Sequence, residues 1–172
     1  MIKIKALERE CQAALDSAAN PIYTYKVFDI EDISHDGVKL MHCTLALTGT
    51  AIAAHLKGCE KAVLLGATIG VGADTLIRKM QIEDMAKAVI TDRLAGFAIE
   101  RLCNELANII SDKYSEYKTT TRFSPGYGDF PLEAQKGFSE VLRLPESIGV
   151  YVSGSMTLTP SKSVTAVIGL RG

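Results

Sequence analysis

A helical period running from Ile82 to about Tyr117 constrains this chain more than any other feature. Met85, Val89, Ile90, Leu94, Phe97, Ala98, Leu102, Leu106, Ile109, Ile110 and Tyr114 recur at the spacing of one helix face. A helix of that length exceeds the usual three or four turns, so it needs a core long enough to receive it and is expected to be central. Gly96 falls inside the stretch. There it costs about 1 kcal/mol relative to Ala and signals either a break or a close contact.

The segments around this helix read as a mixture of helices and strands. Ile4, Leu7, Cys11, Ala14, Leu15 and Ala18 predict a first helix over Lys3–Ala18, ended by Asn20-Pro21. Ile22–Ile30 and Val38–Leu47 predict a strand pair around the turn Ser34-His35-Asp36-Gly37. Thr48 is an N-cap candidate for a short helix to about Lys57, with Gly58 at the C′ position. Lys61–Thr68 is a nearly continuous apolar run, the pattern of a strand buried on both faces. A helix starts near Asp74, after Gly70-Val71-Gly72. Asp129 can cap, and Pro131 can open, a further helix that ends near Leu144, before a turn at Pro145-Glu146-Ser147. Short strands over Gly149–Ser153, Ser155–Thr159 and Ser163–Leu170 close the chain. Strands beside long helices, without βαβ alternation, predict an α+β fold with a twisted, largely antiparallel sheet.

At 172 residues the chain is expected to form a single domain over 1–172. Lys+Arg 19 against Asp+Glu 20, with no basic block, argues against a nucleic-acid partner. No apolar stretch approaches the ~20 residues of a membrane span, and Met1-Ile2-Lys3-Ile4-Lys5 leads into no signal-peptide core, so a cytoplasmic location is expected. Cys11, Cys43, Cys59 and Cys103 form no C-x-x-C pair and read as reduced thiols. His35, His42 and His55 lie on different segments without ligand spacing, so no metal site is expected. Gly66-x-x-x-Gly70-x-Gly72 follows a strand, but it is neither G-x-G-x-x-G nor a Walker A loop; a tight strand-to-helix turn is the better reading.

The segment Arg122-Phe123-Ser124-Pro125-Gly126-Tyr127-Gly128-Asp129-Phe130-Pro131 concentrates the candidate chemistry. Proline fixes φ and glycine admits φ > 0, so the loop is stiff in places and sharply turned in others. Two readings stand: a clamp that presents Arg122 and Tyr127 to a small molecule, or a connector whose aromatics cap the core. An arginine in a clamp would grip a carboxylate as a bidentate pair. Glu116, Glu100 and Asp92 are further carboxylates that could serve a site or simply be solvated.

Four segments in order carry a family resemblance. Arg122-x-x-x-Gly126-Tyr127 resembles the S-adenosylmethionine-binding loop of the activation (reactivation) domain of cobalamin-dependent methionine synthase. Thr91-Asp92-Arg93-Leu94-Ala95 is similar to a stretch of that domain's long helix, and Leu64-Leu65-Gly66-Ala67-Thr68-Ile69-Gly70 to its strand-to-loop segment. Ile148-Gly149, Ser155-Met156, Pro160 and Ser163-Val164 resemble its C-terminal hairpin. The match is clearest over 48–172 and weakest over the helix and hairpin of 1–47.

The resemblance implies that Arg122 meets the ligand's carboxylate. It also implies that Ser124, Pro125, Gly126 and Tyr127 bring the loop against the adenosyl group, and that Glu116 is an acidic site residue. The implied role is a reactivation subunit without a complete active site of its own. It would hold S-adenosylmethionine, while methionine synthase or a related corrinoid methyltransferase holds the cobalamin. A flavodoxin-like donor would supply electrons for the reductive methylation of cob(II)alamin. The sequence departs from the family pattern at Gly96, where a glutamate is usual, and it stops before a tyrosine-bearing segment of the family site. The ligand site is therefore expected to be incomplete unless another chain or a second copy completes it. The alternative is a corrinoid-protein docking protein that does not bind S-adenosylmethionine.

Overall fold

The structure is a computed structural model that describes residues 2–172. Its frame is one antiparallel sheet. Strands β1 (Ile22–Ser34), β2 (Gly37–Leu40), β3 (Leu47–Thr48), β4 (Lys61–Thr68), β5 (Lys118–Thr119) and β8 (Ser163–Arg171) lie in the order β3-β2-β1-β4-β8-β5. The long pairings run Ile22↔Thr68 to Asp29↔Lys61 between β1 and β4, and Lys61↔Leu170 to Thr68↔Ser163 between β4 and β8. A two-stranded ribbon of β6 (Tyr151–Val152) and β7 (Leu158–Thr159) stands apart.

The apolar run Lys61–Thr68 is, as its composition predicts, buried on both faces. Ala62 and Leu64 point into a core formed with α2 (Thr50–His55), α5 (Ala134–Leu142) and α6 (Leu144–Ile148), through Ile52, Phe138, Leu142 and Leu144. Val63 and Leu65 point the other way, onto Leu106 and Ile110 of α4 (Met85–Lys113), together with Ala166 and Ile168 of β8. Ala67 lies on the same side, with Leu15 of α1 (Ile2–Ala18), Ile77 of α3 (Val71–Glu83) and Ile99. This two-residue alternation places helices on both faces of the sheet. The α+β reading, with its antiparallel sheet and long helix, holds.

Three expectations change. The helical period does not run unbroken from Ile82. Glu83 ends α3, and Asp84, in an extended conformation (φ −157°), caps α4 by accepting from the N–H groups of Ala86 and Lys87 at 3.0 and 3.2 Å. The buried stripe of α4 also differs from the apolar one. Ala88, Thr91, Ala95, Ile99, Leu102, Cys103, Leu106 and Ile110 face inward, while Met85, Val89 and Phe97 are 61, 64 and 57% exposed. Small residues at 88 and 95 let α4 sit close to its neighbours, so its rotation follows side-chain size and not hydropathy alone. The strand expected over Val38–Leu47 divides into β2 and β3, with His42 at φ 55° between them.

Helix ends differ in the same way. Thr48 belongs to β3, and Gly49 (φ 125°) precedes α2 without a side-chain cap of its own. Asp129, expected to cap the helix that follows it, caps α2 from across the fold instead. That following helix spans only Ala134–Leu142; Arg143 then turns left-handed at φ 50°, and Pro145 opens α6 where a turn was expected. The Gly66–Gly72 segment is a tight turn, as expected. Gly70 takes φ 87°, and a Cβ on Gly72 would lie 2.0 Å from the carbonyl oxygen of Ala18.

Candidate functional site

The segment after α4 runs along the free edge of β8. Thr119 pairs with Leu170, Thr120 donates its N–H to Gly169 O at 2.9 Å, and Phe123 and Val167 exchange N–H···O bonds at 2.9 and 2.8 Å. The Thr120 hydroxyl also accepts the N–H of Gly169 at 2.8 Å. These bonds hold Arg122 between two anchored residues.

Beyond Phe123 the loop closes on itself. Tyr127 N–H donates to Ser124 O, Phe130 N–H to Tyr127 O, and Gly126 N–H to Phe130 O, at 3.1, 3.0 and 2.8 Å. Gly126 and Gly128 take φ 92° and 53°, which is why glycine stands at both positions. Pro125 and Phe130 are buried beneath. Phe123 brackets the turn: its ring centre lies 4.8 Å from His55, 5.5 Å from Tyr127 and 6.1 Å from Phe130. His55 Nε2 in turn bonds Thr121 O at 2.8 Å. The carbonyl can only accept, so this nitrogen carries the proton. The phenylalanines of the loop reach the core, as the connector reading expects, and its arginine stays outside.

Arg122 turns toward α4. Its Nη2 donates to Glu100 Oε2 at 2.9 Å and to Asn104 Oδ1 at 3.2 Å. The guanidinium side chain is 21% exposed and the Glu100 side chain 60%. Between α4 and the loop lies an open cavity of about 530 Å³. Glu100, Asn104 and Ala107 form its helix wall, and Thr119, Thr120, Thr121, Arg122, Ser124 and Tyr127 form its loop wall. Val164 lines it as well. Arg122 also faces the thiol of Cys103, which is fully buried; burial pushes its pKa up, with Arg122 opposing. A buried thiol raised in this way is a poor nucleophile.

Of the residues expected at a site, Arg122, Ser124 and Tyr127 line the cavity. Gly126 is exposed and shapes the turn, and Pro125 is buried below it. Glu116 lies exposed in the turn after α4 and does not line the cavity. Glu100 is the carboxylate that reaches the site. Asp92 pairs instead with Lys162 at 3.0 Å, and Arg93 with Glu8 at 3.3 Å. Asn104 and the three threonines were not foreseen. Asn104 stands four residues after Glu100, on the same helix face, a signal usable only once the rotation of α4 is known. Among the described residues no group of three or more His, Cys, Asp or Glu side chains could hold a metal ion, and no helix is long and apolar enough to cross a membrane.

No family model and no curated protein matches the sequence. The fold does have a match: a crystal structure of the MetH reactivation domain bound to AdoHcy superimposes with a TM-score of 0.62 over 98% of this chain. This chain has the reactivation-domain fold. Sequence identity across the match is 15%, and the aligned part takes in 65% of the other chain, so this protein spans about two-thirds of that domain's length. The likeness reaches back through α1 and the β1–β2 hairpin, the region where the sequence resemblance is weakest.

Proposed function

We propose that this protein is an S-adenosylmethionine-binding reactivation subunit for a cobalamin-dependent methionine synthase or a related corrinoid methyltransferase. One observation carries the reading. On a reactivation-domain fold, the arginine of the Arg122-x-x-x-Gly126-Tyr127 motif stands in a cavity with part of its guanidinium still open. The volume, about 530 Å³, lies within the range of small-molecule sites. The donor set fits the ligand: a guanidinium for its carboxylate, threonine and serine hydroxyls for a ribose, and the half-exposed Tyr127 ring for the adenine.

Bound there, S-adenosylmethionine would supply an electrophilic methyl group to a cobalamin carried by the partner protein, with electrons from a flavodoxin-like donor. The part played by this chain is to position the ligand and shield it. Arg122 orients the amino-acid end, and the closed loop keeps the threonine rim in register. Such a subunit would work in the cytoplasm beside its corrinoid partner, and that partner could complete the open side of the cavity.

Calorimetric titration of S-adenosylmethionine into the wild type and Arg122→Ala, with and without a cobalamin-binding partner, tests the reading. The expected result is saturable binding that weakens by about tenfold or more in the variant, as loss of a charge-assisted carboxylate contact should produce. Identical weak or absent heats in all arms would overturn it. A second reading, a corrinoid-protein docking subunit that binds no S-adenosylmethionine, draws on the Arg122–Glu100 pair, which already gives the guanidinium a counter-charge. Capture of a cobalamin-binding domain at equal strength with and without the ligand would favour it.

A further inference from the structure

We infer that the open edge of β1 is a dimer interface, at which two copies of this chain join their sheets antiparallel through Ile22–Phe28. The inference does not depend on the S-adenosyl site. It starts from the directions in which backbone groups point. Phe123 and Val167 exchange bonds on the outer side of β8, so odd-numbered residues of β8 face away from β4 and even-numbered ones face it. Ile168 lies opposite Val63, and Leu64 opposite Lys26, so the alternation carries across the sheet and the even-numbered residues of β1 face β4. Tyr23, Tyr25 and Val27 turn their N–H and C=O groups to the other side. There β2 reaches only as far as Met41, whose N–H donates to Asp29 O at 2.9 Å. Below that bond the three residues' backbone groups have no partner among the described residues. The bare stretch spans about 20 Å, the length of a typical strand.

An edge of this kind is a template for another strand unless something blunts it. The other edges are blunted: β8 is covered by β5 and Phe123, and β3 is only Leu47–Thr48. The bulge of β1 lies outside the stretch, between Ile30 and Asp32. Its one charged side chain, Lys26, is tied back, with Nζ donating to Val141 O at 2.8 Å.

The occupant is a second copy, because the stretch is complementary to itself. A twofold axis at Tyr25 sets Tyr25 against Tyr25, Tyr23 against Val27, Thr24 against Lys26 and Ile22 against Phe28. Each odd-numbered pair then exchanges two backbone bonds. Aromatic residues meet aromatic or branched ones, and no like charges oppose each other. An axis at Lys26 would oppose two lysines, and one at Thr24 would draw Pro21, which has no N–H, into the ladder. The pairing also covers Ile22 and Tyr23, 37 and 39% exposed in the single chain. The cavity beside Arg122 lies along β5 and β8, with β4 between it and this edge, so the dimer leaves both cavities open.

Sedimentation equilibrium on the full chain, with Thr24→Lys and Thr24→Glu, tests the interface. Wild type should pass from one to two chain masses as concentration rises. Thr24→Lys opposes Lys26 of the other copy twice over and should weaken the dimer by about tenfold or more. Thr24→Glu sets a carboxylate against the same lysine and should tighten it. Amide exchange on wild type needs no variant: the N–H groups of Tyr23, Tyr25 and Val27 should be protected in the dimer and exchange fast in dilute solution. A wild type that stays monomeric, a dimer indifferent to both exchanges at Thr24, or a dimer in which those three amides stay unprotected overturns the proposal.

Discussion

One carboxylate oxygen of Asp129 accepts both the N–H and the hydroxyl of Thr50, each at 2.7 Å, while the other accepts the N–H of Ala51 at 2.8 Å. The loop that carries the candidate site thus caps a helix far away in sequence. Its backbone also comes close enough that a Cβ on Gly128 would lie 2.7 Å from Ala51 Cβ. The loop and α2 are therefore one unit, and the position of Arg122 depends on both.

These hydrogen bonds lower the Asp129 pKa from its ordinary 3.8 to about 2, with the Ala51 N–H the largest contribution. A group whose pKa is lower in the folded state stabilises fully above its unfolded value and loses that contribution as protons return. The stabilisation should be complete above about pH 4 and should disappear as the pH falls toward 2. Melting curves between those limits should show wild type gaining more with rising pH than Asp129→Asn. Parallel curves would show that the cap carries no such linkage.

Two glycines, Gly72 of α3 and Gly96 of α4, should respond to alanine with opposite signs. Gly96 is inside α4 with open space around it, so Gly96→Ala should stabilise by about 0.5–1 kcal/mol through helix propensity. In Gly72→Ala the new Cβ would meet the Ala18 carbonyl at 2.0 Å, and α1 would have to shift. That overpacking should cost about 3 kcal/mol or more. Urea midpoints with unchanged slopes would measure both effects.

Phe123 supports the site without lining the cavity. Phe123→Ala removes the ring packed against His55, Tyr127 and Phe130, and should cost about 3 kcal/mol, near the low end for a phenylalanine truncation. If the loop positions Arg122, the same variant should also weaken S-adenosylmethionine binding, and Phe123→Leu should restore part of both. Denaturation and calorimetry on the same samples would separate stability from affinity.

The thiols should be quiet in the folded protein. Burial raises the pKa values of Cys43, Cys59 and Cys103, so little thiolate is present at neutral pH. Cys43 is the only one of the four cysteines that is not fully enclosed. A thiol reagent followed by mass spectrometry should label Cys43 first and slowly, and should reach Cys11, Cys59 and Cys103 only in denaturant.

Local pattern was enough for β4 and for the loop. The unbroken apolar run of Lys61–Thr68 can satisfy itself only between two layers, and it became the doubly covered β4. Prolines and glycines around Arg122 could not continue a helix, and they formed the stiff turn that presents it. Hydrophobic period also identified α4 as long, but its apolar residues lie around more than one face. Packing of Ala88 and Ala95 against neighbouring elements chose which face went inward. That choice exposed Phe97 and brought Glu100 and Asn104, rather than Glu116, to Arg122. Capping followed the same division. Asp129 was recognisable as a cap, but it serves Thr50 and Ala51, because a side chain satisfies whichever helix end the folded chain brings within reach. Spacing along the chain sets which residues share a face, whereas the rotation of that face and the partners it meets depend on volumes and distances between segments remote in sequence.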